Sequence, residues 1–129
     1  MKVMIVDDSV EIQERLAARL REIPGVEIAG QVATVAEALR AVRELRPDVM
    51  ILDLRLPDGS GLEVLRVMQR ERIPTRVIVL TNFPHPQYEQ RARAAGAYAF
   101  LNKAKEFSRV AALVRSLLPG SGQTVEKPV

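Results

Sequence analysis

Several residues that could do chemistry stand directly after short apolar runs of this sequence. Asp7 and Asp8 follow KVMIV, and Asp53 follows VMIL. Thr81 follows VIVL, and Lys103 comes one residue after AFL. Each acid by itself could simply cap a turn or the helix that follows, where a carboxylate complements the helix dipole. If the apolar runs are neighbouring strands, however, three carboxylates, a hydroxyl and an ammonium meet at one place.

The three acids would form a site for a hard cation. Carboxylates that lie close together repel each other, and their crowding raises their pKa values unless a cation neutralises the charge. A site made mostly of carboxylate oxygens, with room for water, suits Mg²⁺. We therefore predict a magnesium site formed by Asp7, Asp8 and Asp53.

The runs that carry these residues are predicted strands. They alternate along the chain with longer segments whose apolar residues recur at helical spacing. We predict strands at residues 2–6, 26–32, 49–52, 76–80 and 97–101. Capping boxes of Thr34 with Glu37, and of Ser60 with Glu63, mark the starts of two helices. The segment at residues 87–95, whose apolar face is mainly alanine, has the weakest of the five helical patterns.

Strands that alternate with helices in this way indicate an α/β fold. Right-handed crossovers place the helices on both faces of a parallel sheet. We expect a doubly wound, five-stranded parallel sheet of strand order 2-1-3-4-5 with five helices on its two faces, as in flavodoxin-like folds. Ligands of such folds bind beyond the carboxyl ends of the strands, where the strand order reverses. The candidate residues would all lie at that edge.

Composition sets the broad class of the protein. The chain has 129 residues and no cysteine, which suits a single domain without disulfides and fits a cytoplasmic location. Its formal net charge is +3, but lysines and arginines alternate with glutamates, so we expect solvated helix faces and no direct nucleic-acid binding. No apolar run approaches the length that spans a membrane. We predict one domain over residues 1–118 and a flexible tail, PGSGQTVEKPV, over residues 119–129.

Four stretches give a more specific indication. They are VDDS at residues 6–9, ILDLRLPDGSGLEVL at 51–65, VIVLTNF at 77–83 and GAYAFLNKAKEF at 96–107. In this order and at this spacing, the chain resembles the receiver domain of bacterial two-component response regulators over residues 1–118, in its stand-alone form. The resemblance implies a phosphorylatable signalling domain that assists its own phosphorylation and dephosphorylation but is not otherwise an enzyme. The phosphoryl donor would be a sensor histidine kinase or a histidine phosphotransfer protein, and the output would be contact with a downstream protein.

The resemblance also implies roles for residues of the predicted metal site. Asp53 matches the phosphoacceptor of the family. Asp7 and Asp8 match the acids that bind Mg²⁺, Asp8 directly and Asp7 partly through water. The backbone carbonyl of Arg55 would complete the metal site.

Three more residues match the switch of receiver domains. Thr81 and Lys103 match the family's switch hydroxyl and its lysine, and Phe100 matches the aromatic switch residue. On phosphorylation the Thr81 hydroxyl is expected to bond a phosphoryl oxygen and pull its loop inward, while the Phe100 ring turns into the vacated space. The plainer interpretation of Phe100 is a core residue of the fifth strand, and the two roles are compatible. The surface of the fourth helix, fifth strand and fifth helix, around Tyr88, Arg91, Phe100 and Lys105, would then shift. The same surface could also form a homodimer interface.

Four positions bear on the details of this resemblance. Arg55 and Phe83 are large side chains two residues after the phosphoacceptor and the switch threonine. In receivers these two positions flank the path of the water that hydrolyses the acyl phosphate, so we predict a long-lived phosphorylated form. The chain departs from the common pattern at Ala104, where many receivers have proline, and at Asn82, where a small residue is common.

Other functions remain as alternatives. The chain could be a receiver module separated from a DNA-binding transcription regulator, because its last residues resemble an interdomain linker. A scaffold that works without phosphorylation is disfavoured by the intact set of Asp53, Thr81 and Lys103. A haloacid-dehalogenase-like phosphatase would need Asp-x-Asp after the first strand, and a nucleotide-binding domain would need a glycine-rich first turn. The sequence has neither motif at that position.

Overall fold

A computed structural model describes residues 1–120 of the chain. Its five longer strands alternate with helices, as the sequence pattern predicts. In chain order the elements are β1 (Lys2–Val6), α1 (Val10–Arg21), β2 (Glu27–Val32), α2 (Val35–Leu45), β3 (Val49–Leu52), β4 (Arg55–Leu56), β5 (Gly59–Ser60), α3 (Gly61–Arg70), β6 (Arg76–Thr81), α4 (Pro86–Ala94), β7 (Ala99–Asn102), α5 (Lys103–Glu106) and α6 (Arg109–Leu117).

The five longer strands form one parallel sheet in the order β2-β1-β3-β6-β7. Counted among themselves, these strands have the predicted order 2-1-3-4-5, so the expected doubly wound fold is confirmed. The remaining two strands, β4 and β5, form a small antiparallel hairpin in the loop that follows β3. The order reverses between β1 and β3, which is where ligands of this kind of fold bind.

The sheet separates two hydrophobic cores. On one face, Met4 and Met50 belong to a cluster completed by residues of α2, α3 and α4. On the other face, Ile5 and Ile51 pack with residues of α1 and α6. Neighbouring residues of one strand point to opposite faces, and both faces are covered, which explains why the central strands are apolar throughout. This double burial fixes the sheet that carries the candidate residues.

Helix starts agree with the sequence signals, with one difference. At α3, the Ser60 hydroxyl accepts the N–H of Leu62 and the Glu63 carboxylate accepts the N–H of Ser60, so this capping box is confirmed. At α2, Thr34 accepts the N–H of Glu37 as predicted. The Glu37 carboxylate, however, accepts the N–H of Ala33 and not that of Thr34, so only half of the second box forms.

The chain near Lys103 differs in detail from the prediction. The helices expected from the sequence are α1 to α4 and α6, and an additional single turn, α5, precedes α6. The Asn102 side chain starts this turn, because its oxygen accepts the N–H groups of Ala104 and Lys105. Polar side chains that cap a helix in this way favour a local turn even where no apolar period exists. The buried Lys103 is therefore the first residue of α5 and directly follows the end of β7.

Within residues 1–120, none of the helices combines the length and the apolar character needed to cross a membrane. The predicted tail lies almost wholly outside the described residues, which end at residue 120. Its flexibility therefore stays a prediction.

Candidate functional site

The carboxyl ends of the central strands lie at one edge of the sheet. Val6 pairs with Leu52, and Leu52 pairs with Val79, so β1 and β3 end level with each other and β6 continues two residues further, to Thr81. The next residues continue the backbone ladder, because the N–H of Asp53 donates to the carbonyl of Val6 at 3.0 Å. The N–H of Asp7 donates to the carbonyl of Val32 at 3.0 Å in the same way. Asp7 and Asp53 are therefore held by the sheet and not by flexible loops.

The strand order brings the three acids together. Asp7, Asp8 and Asp53 each offer a carboxylate oxygen, and these oxygens lie within 4.8 Å of one another. Only 2 % of Asp7 and 6 % of Asp53 are exposed, whereas Asp8 is open to solvent. The set combines hard oxygen donors with access from one side, which fits a hydrated divalent cation such as Mg²⁺.

Lys103 joins two of these acids. Its Nζ donates to Asp7 Oδ2 at 2.7 Å and to Asp53 Oδ2 at 3.0 Å, and all three side chains are buried. The contacts span 96 and 50 residues of sequence, so only the sheet topology can produce them. One ammonium thus faces two buried carboxylates, and Asp8 adds a third acid nearby.

The electrostatics of the pair follow from this burial. Burial raises the pKa of Asp53 above its ordinary value; the Lys103 ammonium opposes this, and the neighbouring Asp7 carboxylate adds to it. Burial alone would lower the pKa of Lys103, but its hydrogen bonds and charge interactions with Asp7 and Asp53 outweigh that effect, and the pKa is raised. The lysine therefore stays charged at neutral pH, and its single ammonium faces more than one carboxyl group.

A buried glutamine supports the first acid from behind. Gln13 Nε2 donates to the backbone carbonyl of Asp7 at 2.6 Å and to that of Val32 at 3.1 Å. The N–H of Ser9 donates to Asp7 Oδ1 at 2.8 Å. The sequence analysis did not include Gln13 among the candidate residues. Its position on the apolar face of α1, one turn before Leu16, could have indicated a buried polar side chain.

The loop after Asp53 packs closely on the strand that precedes it. The N–H of Gly61 donates to the carbonyl of Leu54 at 2.8 Å. A Cβ at residue 61 would overlap the carbonyl oxygen of Asp53 and lie 3.1 Å from Leu54 Cα. Glycine at position 61 is therefore required for this close approach. It holds the hairpin of β4 and β5, including Arg55, beside the acid cluster.

The remaining candidate residues surround the same edge. Thr81 is fully buried, and its Oγ accepts the N–H of Phe83 at 3.1 Å. The Arg55 guanidinium lies 4.1 Å from the centroid of the Phe83 ring, so it bridges the loop after Asp53 and the loop after Thr81. Phe100 is 9 % exposed and packs in the core cluster on the α2, α3 and α4 face.

The arrangement has a definite chemical capacity. A rigid, buried carboxylate lies beside an ammonium and beside oxygen donors that suit a divalent cation. Such groups can hold a phosphoryl group in place and neutralise its charge while a carboxylate oxygen reacts with it.

The chain is similar in sequence to known response regulators. The chain is 32% identical to the DNA-binding transcriptional activator DevR/DosR of Mycobacterium tuberculosis over 125 residues, which cover 97% of this chain and 57% of that protein. It is 29% identical to the response regulator GacA of Pseudomonas syringae pv. syringae, over 93% of this chain and 56% of that one. The chain thus spans a little over half the length of these curated relatives.

A solved structure extends the likeness to three dimensions. The two-component response regulator of the LuxR family from Aurantimonas sp. SI85-9A1 superposes with a TM-score of 0.84 at 26% identity, over 93% of this chain and 86% of that one. The family described as response regulator receiver domain matches residues 3–115 of the chain. The protein therefore belongs to the response regulator receiver domain family, the receivers of two-component signalling.

Proposed function

We propose that this receiver takes a phosphoryl group onto Asp53 and signals through protein contacts. The donor is the phosphohistidine of a sensor histidine kinase or of a histidine phosphotransfer protein, and we expect the transfer in the cytoplasm. The observation that carries the proposal is the Asp53 carboxylate, buried at a strand end, 3.0 Å from the Lys103 ammonium and beside two further acids. An acid with a purely structural role would not need two further carboxylates beside it.

The transfer exchanges one bond for another. An oxygen of Asp53 forms a bond to phosphorus while the bond from phosphorus to the donor's imidazole nitrogen breaks, and that nitrogen keeps the electron pair. Lys103 already donates to Asp53 Oδ2, so its ammonium can turn to an oxygen of the incoming phosphoryl group. Little covalent chemistry is left to the protein, and its contribution is position and charge.

Asp7, Asp8, Asp53 and the backbone carbonyl of Arg55 would hold Mg²⁺. The three carboxylates form a hard donor set within 4.8 Å, and the exposed Asp8 leaves room for water, so the residues fit this ion. Bound there, Mg²⁺ would neutralise charge on the phosphoryl oxygens. The excess of acids over ammonium groups gives the site its need for a cation.

The switch begins at Thr81 in this proposal. Its Oγ accepts the N–H of Phe83, so its own hydroxyl hydrogen can be donated to a phosphoryl oxygen. Movement of Thr81 toward that group would carry the loop of Phe83 with it. Phe100 lies on the neighbouring strand, where Val79 of β6 is its pairing partner, and it would follow into the space left behind.

A metal-dependent phosphorylation assay tests the proposal. Acetyl phosphate should add one phosphoryl group to the wild-type chain in the presence of Mg²⁺ and none in EDTA, as read by intact-mass spectrometry. Asp8→Asn should lose most of this incorporation, because it removes an oxygen charge from the metal site. Glu11→Gln, which removes an exposed acid from the first turn of α1, should react like the wild type. Equal incorporation with and without Mg²⁺ would contradict the metal site.

The relatives favour a second arrangement of the same function. The chain covers 57% of a relative described as a DNA-binding transcriptional activator. It could therefore act as the receiver module of a DNA-binding regulator instead of as a stand-alone protein. The reading frame that follows the codon of Val129 in the source genome decides between the two. A stop codon there supports the stand-alone form, and an adjoining DNA-binding segment supports the module.

A further inference from the structure

A cavity of about 390 Å³ opens beside the proposed phosphorylation site, on the α3 and α4 side. The hairpin loop after Asp53 forms one wall, and the starts of α3 and α4 form the others. Its apolar lining includes Leu54 and Leu62, which are buried, and the half-buried rings of Phe83 and Tyr88. The volume falls within the range of about 300–1,000 Å³ that is usual for small-molecule sites.

The charge of the cavity is entirely positive. Arg55, Arg66 and Arg91 line it, and none of its lining residues is an aspartate or a glutamate. The three come from the hairpin, from α3 and from α4, so the fold gathers their charges from separate elements. Within residues 1–120, the arginines that form ion pairs with a glutamate are Arg43, Arg93 and Arg109, none of which lines the cavity.

These features select a class of ligand. A guanidinium binds phosphate with two parallel hydrogen bonds, and several guanidiniums around one cavity favour a dianion. Aromatic walls favour a flat ring, because stacking on such rings is the usual way in which a protein binds a base. The acid cluster at Asp53 has the opposite sign and would repel the same ligand. A phosphate monoester that also carries an aromatic ring fits the positive charge of the cavity, its aromatic walls and its volume.

We propose that the cavity between the hairpin, α3 and α4 binds a nucleoside monophosphate or a closely similar phosphate monoester that carries an aromatic ring. Arg66 and Arg91 bind the phosphate, and the ring contacts Tyr88 and the stacked pair of Phe83 and the Arg55 guanidinium. The proposal does not depend on phosphorylation of Asp53. It concerns a separate cavity whose ligand makes no use of the acids.

Titration calorimetry with AMP as the probe tests this site in the full chain. EDTA is present throughout, so that binding through a metal at the acid cluster is removed. AMP should bind about tenfold more tightly than ribose 5-phosphate, inorganic phosphate or adenosine. The first two lack the adenine ring, and adenosine lacks the phosphate charge. Amide NMR signals of Leu62 and Tyr88 should shift during the titration.

Two variants separate the site from general positive charge. Arg66→Gln combined with Arg91→Gln should weaken AMP binding by about tenfold or more, because both charge-assisted contacts to the phosphate are lost. Arg115→Gln, an exposed arginine on α6, should leave the affinity within about twofold. Thermal unfolding of both variants checks that they fold.

Several results would overturn the proposal. They are the absence of AMP binding, equal binding of ribose 5-phosphate or adenosine, or an equal loss in Arg115→Gln. A polyglutamate peptide that binds where AMP does not would assign the cavity to an acidic protein segment instead.

Discussion

Two buried carboxylates share one ammonium at the edge of the sheet, and this local arrangement does not favour stability. Taking charges out of water is expensive, and a buried pair compensates for it only with good geometry and further hydrogen bonds. Asp7 and Asp53 have such bonds from Lys103 and from backbone N–H groups, yet the two carboxyl groups share a single ammonium. Buried acids crowded together in this way, one of them with a raised pKa, are candidates for function.

Gln13 shows how a residue outside the chemistry can hold the site. Its amide donates to two backbone carbonyls. That of Val32 keeps the N–H of Asp7 as a second donor, but the carbonyl of Asp7 loses a buried hydrogen bond when the amide is removed. Gln13→Ala should lower the free energy of unfolding by about 1–3 kcal/mol. Gln69→Ala removes a similar bond, to the carbonyl of Ala94, at an exposed position and should cost less than about 0.5 kcal/mol. Urea unfolding measures both, and equal losses would contradict the role of Gln13.

The contact between Arg55 and Phe83 yields a prediction about the phosphorylated form. If these side chains obstruct the hydrolytic water, the double variant Arg55→Asn, Phe83→Ala should lose its phosphoryl group at least severalfold faster, because water attack depends strongly on position. The decay is followed by mass spectrometry after the donor is removed. Arg15→Asn with Phe107→Ala breaks the comparable contact at 4.5 Å on another face and serves as the control. Decay that is no faster in the first variant than in the control would show that the pair does not gate the water.

At the scale of single residues, the sequence was informative where chemistry follows a strand. Asp7, Asp53 and Lys103 could be placed at one edge because strand ends of a parallel sheet converge. Gln13 could not be assigned a partner, because the sequence does not show which carbonyls remain unpaired. The requirement for glycine at position 61 likewise appears only in the folded loop, because a Cβ at Gly61 would overlap the backbone of Asp53 and Leu54.

At the scale of elements, the hairpin loop is tied to a helix far from it in sequence. The Asp58 carboxylate accepts the N–H of Val35 at 2.7 Å and that of Ala36 at 3.1 Å, at the start of α2. Free N–H groups and the helix dipole both favour an anion at this end. These hydrogen bonds lower the pKa of Asp58 below its ordinary value.

The cap at α2 should make stability depend on pH. Because the folded-state pKa of Asp58 is lowered, its contribution is complete above the ordinary aspartate pKa of about 3.9 and is lost as the pH falls through the folded value. Asp58→Asn should therefore unfold at a lower temperature than the wild type at pH 7, and the difference should shrink below about pH 4. Calorimetric scans at several pH values measure this. A difference that stays constant down to pH 2 would contradict the charged cap.

The elements themselves were partly readable from the sequence. The five long strands and the helices around them carry apolar periods, and these were predicted in the right order. The hairpin of β4 and β5 was not, because two-residue strands are too short to show a period. The two hydrogen bonds that Asp58 accepts from the start of α2 were not predicted either, because they join residues 22 and 23 positions apart in the sequence. The short helix α5 depends on the Asn102 cap, which the apolar pattern does not reveal.

At the scale of the whole molecule, the proposed switch connects the acid cluster to the face of α4, β7 and α6, which includes Lys105 in the short turn α5. Thr81 pairs with Asn102 across the sheet, and Phe100 lies two residues earlier on the same strand. Tyr88 packs against the core cluster that contains Phe100. A displacement at Thr81 therefore has a packed path to this face, whose use in a homodimer stays a prediction.

Beryllofluoride, a mimic of the phosphoryl group, tests this path. With Mg²⁺ present it should shift the amide NMR signals of Tyr88, Phe100 and Lys105, because a bistable element is biased by the new charge. Gly25 and Val26, in the turn before β2 at the other end of the sheet, should change little. Shifts confined to residues around Asp53 would show that the signal does not reach the face.

The central claim is that Asp53 itself receives the phosphoryl group, and one measurement tests it most directly. The wild type, Asp53→Asn and Asp48→Asn are incubated with acetyl phosphate and Mg²⁺, and the intact masses are compared. Asp48 precedes the same strand at its opposite end, where its carboxylate accepts the N–H of Lys2, so it is a matched acid away from the site. We predict one added phosphoryl group in the wild type and in Asp48→Asn and none in Asp53→Asn, which keeps the shape of the side chain but loses the nucleophile. Equal incorporation in Asp53→Asn would contradict the account.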